Sequence, residues 1–303
     1  MNGNERAAAS QDPAGAESRG IMLIVVLTVG TMLAFAANSL LTRLALQTTA
    51  IDPASFVLVR LASGAGMLAL IVMLQRLKLP PLRKSWLSAL LLFIYAVAFS
   101  FAYRSIDTGA GALLLFASAQ LTMIAYGYAR GERASLPGAL LAIGGLVAFL
   151  APGASAPALL PAGLMMIAGI AWGGFSLLGR FSQDTPVGNT ASSFIWALPL
   201  ALGLMFLQRD AIQMDGTGVS YALLSGALMS GLGYAVWYWV RVRMTAIAAG
   251  SVQLSVPVLS ALLGMLVLGE QLGVERWLAG TAVLAGVAII TLSASRRAGQ
   301  RKG

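Results

Sequence analysis

The sequence contains no cysteine and no histidine. Without cysteine there is no disulfide, no thiolate nucleophile and no Fe–S or cysteine-bound zinc, and without histidine there is no imidazole ligand or imidazole general base. No cofactor and no metal are therefore expected, and most familiar enzyme chemistry is excluded with them. Charge is scarce as well: 10% of the 303 residues are charged and 58% are hydrophobic, with a mean hydropathy of +0.82. A soluble domain carries roughly a quarter charged residues, so a water-soluble fold is excluded. The few carboxylates avoid the middle of every apolar run. That argues against a lipophilic-cation pump that exchanges its cargo on an embedded acid.

What is present is a series of apolar runs, each near the roughly 20 residues needed to cross a bilayer core. Ten emerge: Ile21–Leu46, Phe56–Leu77, Trp86–Tyr103, Thr108–Ala129, Leu136–Leu150, Gly163–Leu178, Thr190–Leu207, Val219–Val240, Thr245–Leu268 and Trp277–Leu292. The reading is an all-α polytopic membrane protein with ten transmembrane helices. Residues 1–20 are polar, small and low in complexity, so they read as a disordered tail, and 293–303 as a basic tail. Arg19 followed by an apolar stretch and Ala34-Phe35-Ala36 imitates a cleaved signal, but the run continues to Leu46 and its later half recurs downstream.

The net charge of +9 is not gathered on one solvated face as a nucleic-acid binder requires, so no nucleic-acid partner is expected. The basic residues lie in the gaps between runs. With the N-terminus in the cytoplasm, fifteen of the twenty fall inside and only Arg43, Arg60, Arg104, Arg209 and Arg276 fall outside. The positive-inside rule thus favours both termini in the cytoplasm and an even number of spans in the inner membrane.

The chain also resembles itself. Ala34–Arg43 lies over Ala171–Arg180, 137 positions on, with five of ten residues identical. The same offset superposes Arg104 on Arg241, Thr108 on Thr245 and Ser118 on Ser255, and an offset of 138 brings Gly131-Glu132 onto Gly269-Glu270. After a short insertion, Gly138–Gly144 meets Gly280–Gly286. Each half, 21–150 and 163–292, holds five spans, an odd number, so the second must be inserted upside down. Two inverted halves meeting at a midplane cavity is the organisation of an alternating-access transporter.

These residues carry a family likeness. The small-and-aromatic helix ending in a basic residue occurs twice, at Ala34–Arg43 and Ala171–Arg180. Gly111–Gln120 leads to Arg130-Gly-Glu-Arg133, Gln253–Pro257 leads to Leu268-Gly-Glu270, and spaced glycines mark each closing helix. The sequence resembles the EamA-type drug/metabolite transporters over essentially all of residues 21–292. The resemblance implies ten helices in two inverted five-helix repeats, an inner-membrane location, and export or exchange of small metabolites, amino acids among them. It departs at Gln120, where the second half has Pro257, so a proline-broken fourth helix is not expected.

Candidate substrate-binding residues are polar or aromatic groups away from span ends. Amides in a bilayer are costly unless paired, which singles out Gln120 and Gln253, read either as cavity groups or as interhelical glue. Phe116 and Pro257 share their helix faces at a spacing of four. Asn38, Ser118 and Ser255 add hydrogen-bonding groups, although serine and threonine often bond the carbonyl one turn back. Tyr95, Trp172, Tyr234 and Trp237 stand far enough from helix ends to be cavity walls, whereas Trp86, Tyr103, Trp239 and Trp277 suit interface anchors. Glu132 and Glu270 read as solvated or paired with nearby Arg133 and Arg276, and Asp107 with Arg104. Arg43 and Arg60 read as snorkelling to headgroups, with attraction of an anionic or zwitterionic substrate as the other reading.

The sequence supports a secondary transporter moving small amphipathic metabolites, most plausibly amino acids, outward by alternating access. Other metabolites or drugs, and a scaffold that transports nothing, are the alternatives. A membrane-embedded enzyme lacks its nucleophile–base pair, metal ligands or carboxylate dyad. The partners expected are the lipid bilayer and a small-molecule substrate.

Overall fold

The computed structural model describes residues 13–130, 135–150, 157–181, 184–241, 243, 252–253 and 255–300. They are helical almost throughout, in ten long elements: α1 (Pro13–Thr48), α2 (Pro53–Leu74), α3 (Leu82–Tyr103), α4 (Thr108–Ala129), α5 (Leu136–Leu150), α6 (Leu159–Phe181), α7 (Pro186–Leu207), α8, α9 (Ser255–Leu268) and α10 (Val274–Gln300). Helix α8 is composite, α-helical over Gly216–Leu223, π-helical over Leu224–Leu232 and α-helical again over Gly233–Arg241. Among the described residues, seven helices are long and apolar enough to cross a membrane, and Leu136–Ala148 and Ser255–Leu268 are shorter apolar helices. The chain is an all-helical, multi-pass membrane protein.

Several helices begin about a turn before the apolar runs, because polar caps start them. Asp52 accepts from the Ala54 and Ser55 amides ahead of α2, Thr185 from Gly188 ahead of α7, and Asp215 from Gly218 ahead of α8. Pro53 and Pro186 occupy the first turn, where a missing N–H costs nothing. Helix α1 starts at Pro13, inside the stretch 1–20 that reads as a disordered tail, and α10 runs to Gln300, through most of the basic 293–303 tail, each as the continuation of an already nucleated helix. Residues 1–12 lie outside the described residues, as do Gly131, Glu132, Arg133 and Thr245.

Helices without a hydrophobic driving force between them approach through small residues. A Cβ on Gly173 would lie 2.8 Å from the Ala119 carbonyl oxygen, and one on Gly169 would collide with that of Leu115, so this Gly-x-x-x-Gly pair seats α6 directly on α4. Gly226, inside the π-helical segment, likewise brings α8 onto the α2 backbone at the Arg60 carbonyl. Hydroxyls inside the bundle mostly bond one turn back, Thr42 to Asn38 at 2.8 Å, Thr122 to Ser118 at 2.8 Å and Ser193 to Asn189 at 2.8 Å. Ser192 instead reaches across, donating to the Pro80 carbonyl at 2.8 Å and lying 2.9 Å from Ser85 Oγ, which ties α7 to the start of α3.

Candidate functional site

Side chains of α1, α3, α4, α6 and α8 converge on a cavity of about 20 Å³ lined by Phe35, Asn38, Ser39, Tyr95, Phe99, Leu115, Phe116, Trp172, Met229 and Tyr234. Helical periodicity explains the convergence. Tyr95, Phe99 and Tyr103 recur every four residues and stack down one face of α3, with ring centroids 5.3 Å and 4.7 Å apart. Trp172 on α6 lies 5.1 Å from the Tyr95 ring and 5.1 Å from Tyr234, and Phe35 on α1 meets Tyr234 edge-on at 5.8 Å. The result is a belt of rings drawn from four helices. The polar groups in it are few: Ser39, Asn38, and the Tyr95 and Tyr234 hydroxyls. Asn38 Oδ1 accepts from Ser225 Oγ at 2.6 Å, coupling α1 to the π-helical segment of α8.

Such a volume, about 20 Å³, admits roughly one water molecule.

Directly behind this belt sits Arg60, the largest fully buried side chain among the described residues, 1% exposed. Snorkelling is therefore overturned. Arg60 stands about two turns into α2, too deep for its head to reach the interface against the close α2–α8 contact. Its Nη2 donates to Tyr95 Oη at 3.0 Å, and Nε and Nη2 both lie 3.4 Å from Ser230 Oγ. The guanidinium carbon lies 5.2 Å from the Tyr95 centroid and 5.0 Å from that of Phe99, cation–π distances.

Arg43 does not snorkel either. Its Nε donates to Glu270 Oε1 at 3.0 Å, Nη1 to the Tyr103 carbonyl at 2.8 Å, and Nη2 to Asp107 at 3.4 Å. Glu270 in turn accepts from the Thr108 amide at 2.7 Å and hydroxyl at 3.1 Å, capping α4. Glu270 and Asp107 thus pair with Arg43 instead of Arg276 and Arg104, because the loop after α9 folds over the start of α4. Gln47 adds a bond to the Arg104 carbonyl. This network closes one end of the bundle by joining α1, the α3–α4 turn and the α9–α10 loop. Tyr103, expected at the interface, is fully buried beside it, its hydroxyl donating to the Thr108 carbonyl at 3.2 Å.

Of the candidates read from the sequence, Asn38, Tyr95, Phe116, Trp172 and Tyr234 line the cavity. Gln120 is buried one turn along α4 from Phe116, and Ser118 is buried where α4 meets Gly169. Trp237 packs edge-on to Phe35 at 6.1 Å, behind the lining. Pro257 is buried in α9, Gln253 is half-buried and helical, and Ser255 is exposed with its hydroxyl on the Val252 carbonyl at 2.7 Å. Phe35, Leu115 and Met229 line the cavity without having been singled out. Phe35 had a signal, since the repeat offset lays it on Trp172. No cluster of potential metal ligands occurs among the described residues.

Residues 159–292 match the EamA-like transporter family. An uncharacterized protein of Pseudomonas aeruginosa is 52% identical over 269 residues, covering 88% of this chain and 93% of its own. A crystal structure of a protein at 17% identity superposes with a TM-score of 0.65, covering 90% of this chain and 98% of that one, which places the two in the same fold.

Proposed function

Residues 159–292 form an EamA-like transporter family domain, and from that premise we propose that the chain exports small amphipathic metabolites, amino acids foremost, across the cytoplasmic membrane by alternating access around the aromatic cavity. The observation that carries this reading is the cavity itself. Its walls come from α1, α3 and α4 on one side and α6 and α8 on the other, so both halves of the chain meet at one small, amphipathic site. Rings offer contact to an apolar side chain while Asn38 and Ser39 offer hydrogen bonds, a combination suited to a small molecule with one polar end.

Two inverted five-helix repeats, 21–150 and 163–292, fit the way the helices pair. Helix α4 packs on α6 as α9 packs on α1, α3 packs on α6 and α7 as α8 packs on α1 and α2, and α2 with α7 and α5 with α10 pair with their own counterparts. On this reading the Arg43–Glu270 network is the closed gate of the extracytoplasmic side, with both termini in the cytoplasm. Opening it while the opposite end closes would expose the same cavity alternately to the two faces of the membrane.

Counterflow in proteoliposomes preloaded with a mixed amino acid pool, read by mass spectrometry, tests the reading. Selective exchange of one amino acid class, lost in Trp172→Ala protein that remains monodisperse, is expected. No exchange of any amino acid by folded protein overturns the amino acid assignment, and no exchange of any metabolite pool leaves the scaffold alternative.

A further inference from the structure

We propose that Arg60 receives the carboxylate of the transported molecule, so that the site selects small, largely apolar compounds bearing a single carboxylate. The proposal rests on the cavity being the translocation site and adds the chemistry that decides what enters it.

Arg60 carries an uncompensated charge. It is 1% exposed, yet its polar contacts are all to neutral hydroxyls, of Tyr95, Ser230 and Tyr234. Its Nη1 is buried with no hydrogen-bond partner, and among the described residues no carboxylate pairs with it. Arg43 in the same bundle is held by two carboxylates and a carbonyl. A charge buried in a membrane bundle is normally paired, and one that is not marks a ligand site. A position needed only for packing would carry an apolar side chain at no such cost.

Geometry says where the missing anion belongs. The rings of Tyr95 and Phe99, stacked against the guanidinium, form the cavity wall with Tyr234 and Met229. The cavity now holds about 20 Å³, and widening it on the Tyr95–Phe99 side uncovers the guanidinium behind those rings. Arg60 is also held to meet a ligand. Its backbone is pressed against Gly226, and Ser230, on the same π-helical segment, contacts its Nε and Nη2. π-helical turns recur at functional sites because they re-aim side chains. A planar guanidinium suits the two oxygens of a carboxylate. Among the described residues Arg43 is already paired and no second cation lines the cavity for a polyanion, while a substrate amine without a carboxylate would be repelled by the Arg60 charge.

Binding to purified full-length protein in nanodiscs, followed by tryptophan fluorescence and thermal shift, tests this with L-phenylalanine, 3-phenylpropionate, phenylalaninamide and phenylethylamine, with counterflow of the same four compounds in parallel. The two carboxylates are expected to bind at least about tenfold more tightly than the amide and the amine. Their ratio separates a zwitterion site from a monoanion site, either of which upholds the carboxylate contact. Arg60→Gln is expected to lose that preference. Arg60→Lys, which keeps the charge and loses the fork, is expected to weaken carboxylates about fivefold or more and serves if the glutamine variant fails to fold. Equal binding of all four compounds, or wild-type carboxylate affinity in a folded Arg60 variant, overturns the role of Arg60 and leaves the transporter reading standing. Neither binding nor counterflow of any of the four by folded protein overturns both.

Discussion

Replacing Glu270 with glutamine removes the charge at the centre of the Arg43–Glu270–Thr108 network, the proposed gate, while keeping its shape. In the structure Glu270 Oε1 receives Arg43 Nε at 3.0 Å and both oxygens receive Thr108, with side-chain exposures of 10% for Glu270 and 11% for Arg43. A hydrogen bond to a charged group contributes about 1.5–3 kcal/mol. Arg43 keeps the Tyr103 carbonyl, and Asp107 at 3.4 Å, 46% exposed, compensates weakly. The net loss to the closed form is then about 1–2 kcal/mol, which moves the open-to-closed ratio roughly five- to thirtyfold. Because the chain has no native cysteine, spin labels at Thr48→Cys and Gln271→Cys report the gate directly. Double electron–electron resonance should show one short distance in the parent and a longer, broader population growing by that factor in Glu270→Gln. An unchanged distance distribution would refute the claim that this network holds the end shut.

Other outcomes follow from the same contacts. Gly226→Ala forces a methyl into the α2 backbone and should destabilise by about 1–3 kcal/mol, whereas Gly66→Ala, with open space around it, should leave the melting temperature of purified protein unchanged. Ser192→Ala removes bonds to Pro80 and Ser85 and should lower stability by about 1–2 kcal/mol in the same melt. Phosphatase fusions after Gln213 should be active outside the cytoplasm and those after Lys78 inactive, as the charge bias demands.

The apolar runs made the helices legible because hydropathy over about 20 residues is a strong signal, and α4 and α5 were bounded as the runs predicted. The aromatic half of the cavity was legible too, since Tyr95, Trp172 and Tyr234 stood away from helix ends. What sequence could not disclose was partnership across distance. Arg60 meets Ser230, 170 positions away, and Arg43 meets Glu270, 227 positions away, so in the sequence both read as snorkelling to headgroups or attracting an anionic substrate. The π-helical turn in α8 left no periodic trace, yet it holds Ser225 against Asn38 and Ser230 against Arg60. Gln120 and Gln253 drew notice because amides are rare in spans, and rarity alone does not fix which face a residue shares with a cavity.

The central claim is that one cavity serves both sides of the membrane. The most direct test is Ser39→Cys in the cysteine-free chain, challenged with a membrane-impermeant thiol reagent in right-side-out and in inverted vesicles. The account predicts reaction from both sides, slowed from both by a transported substrate. Reaction from one side only, under every substrate condition, would contradict it.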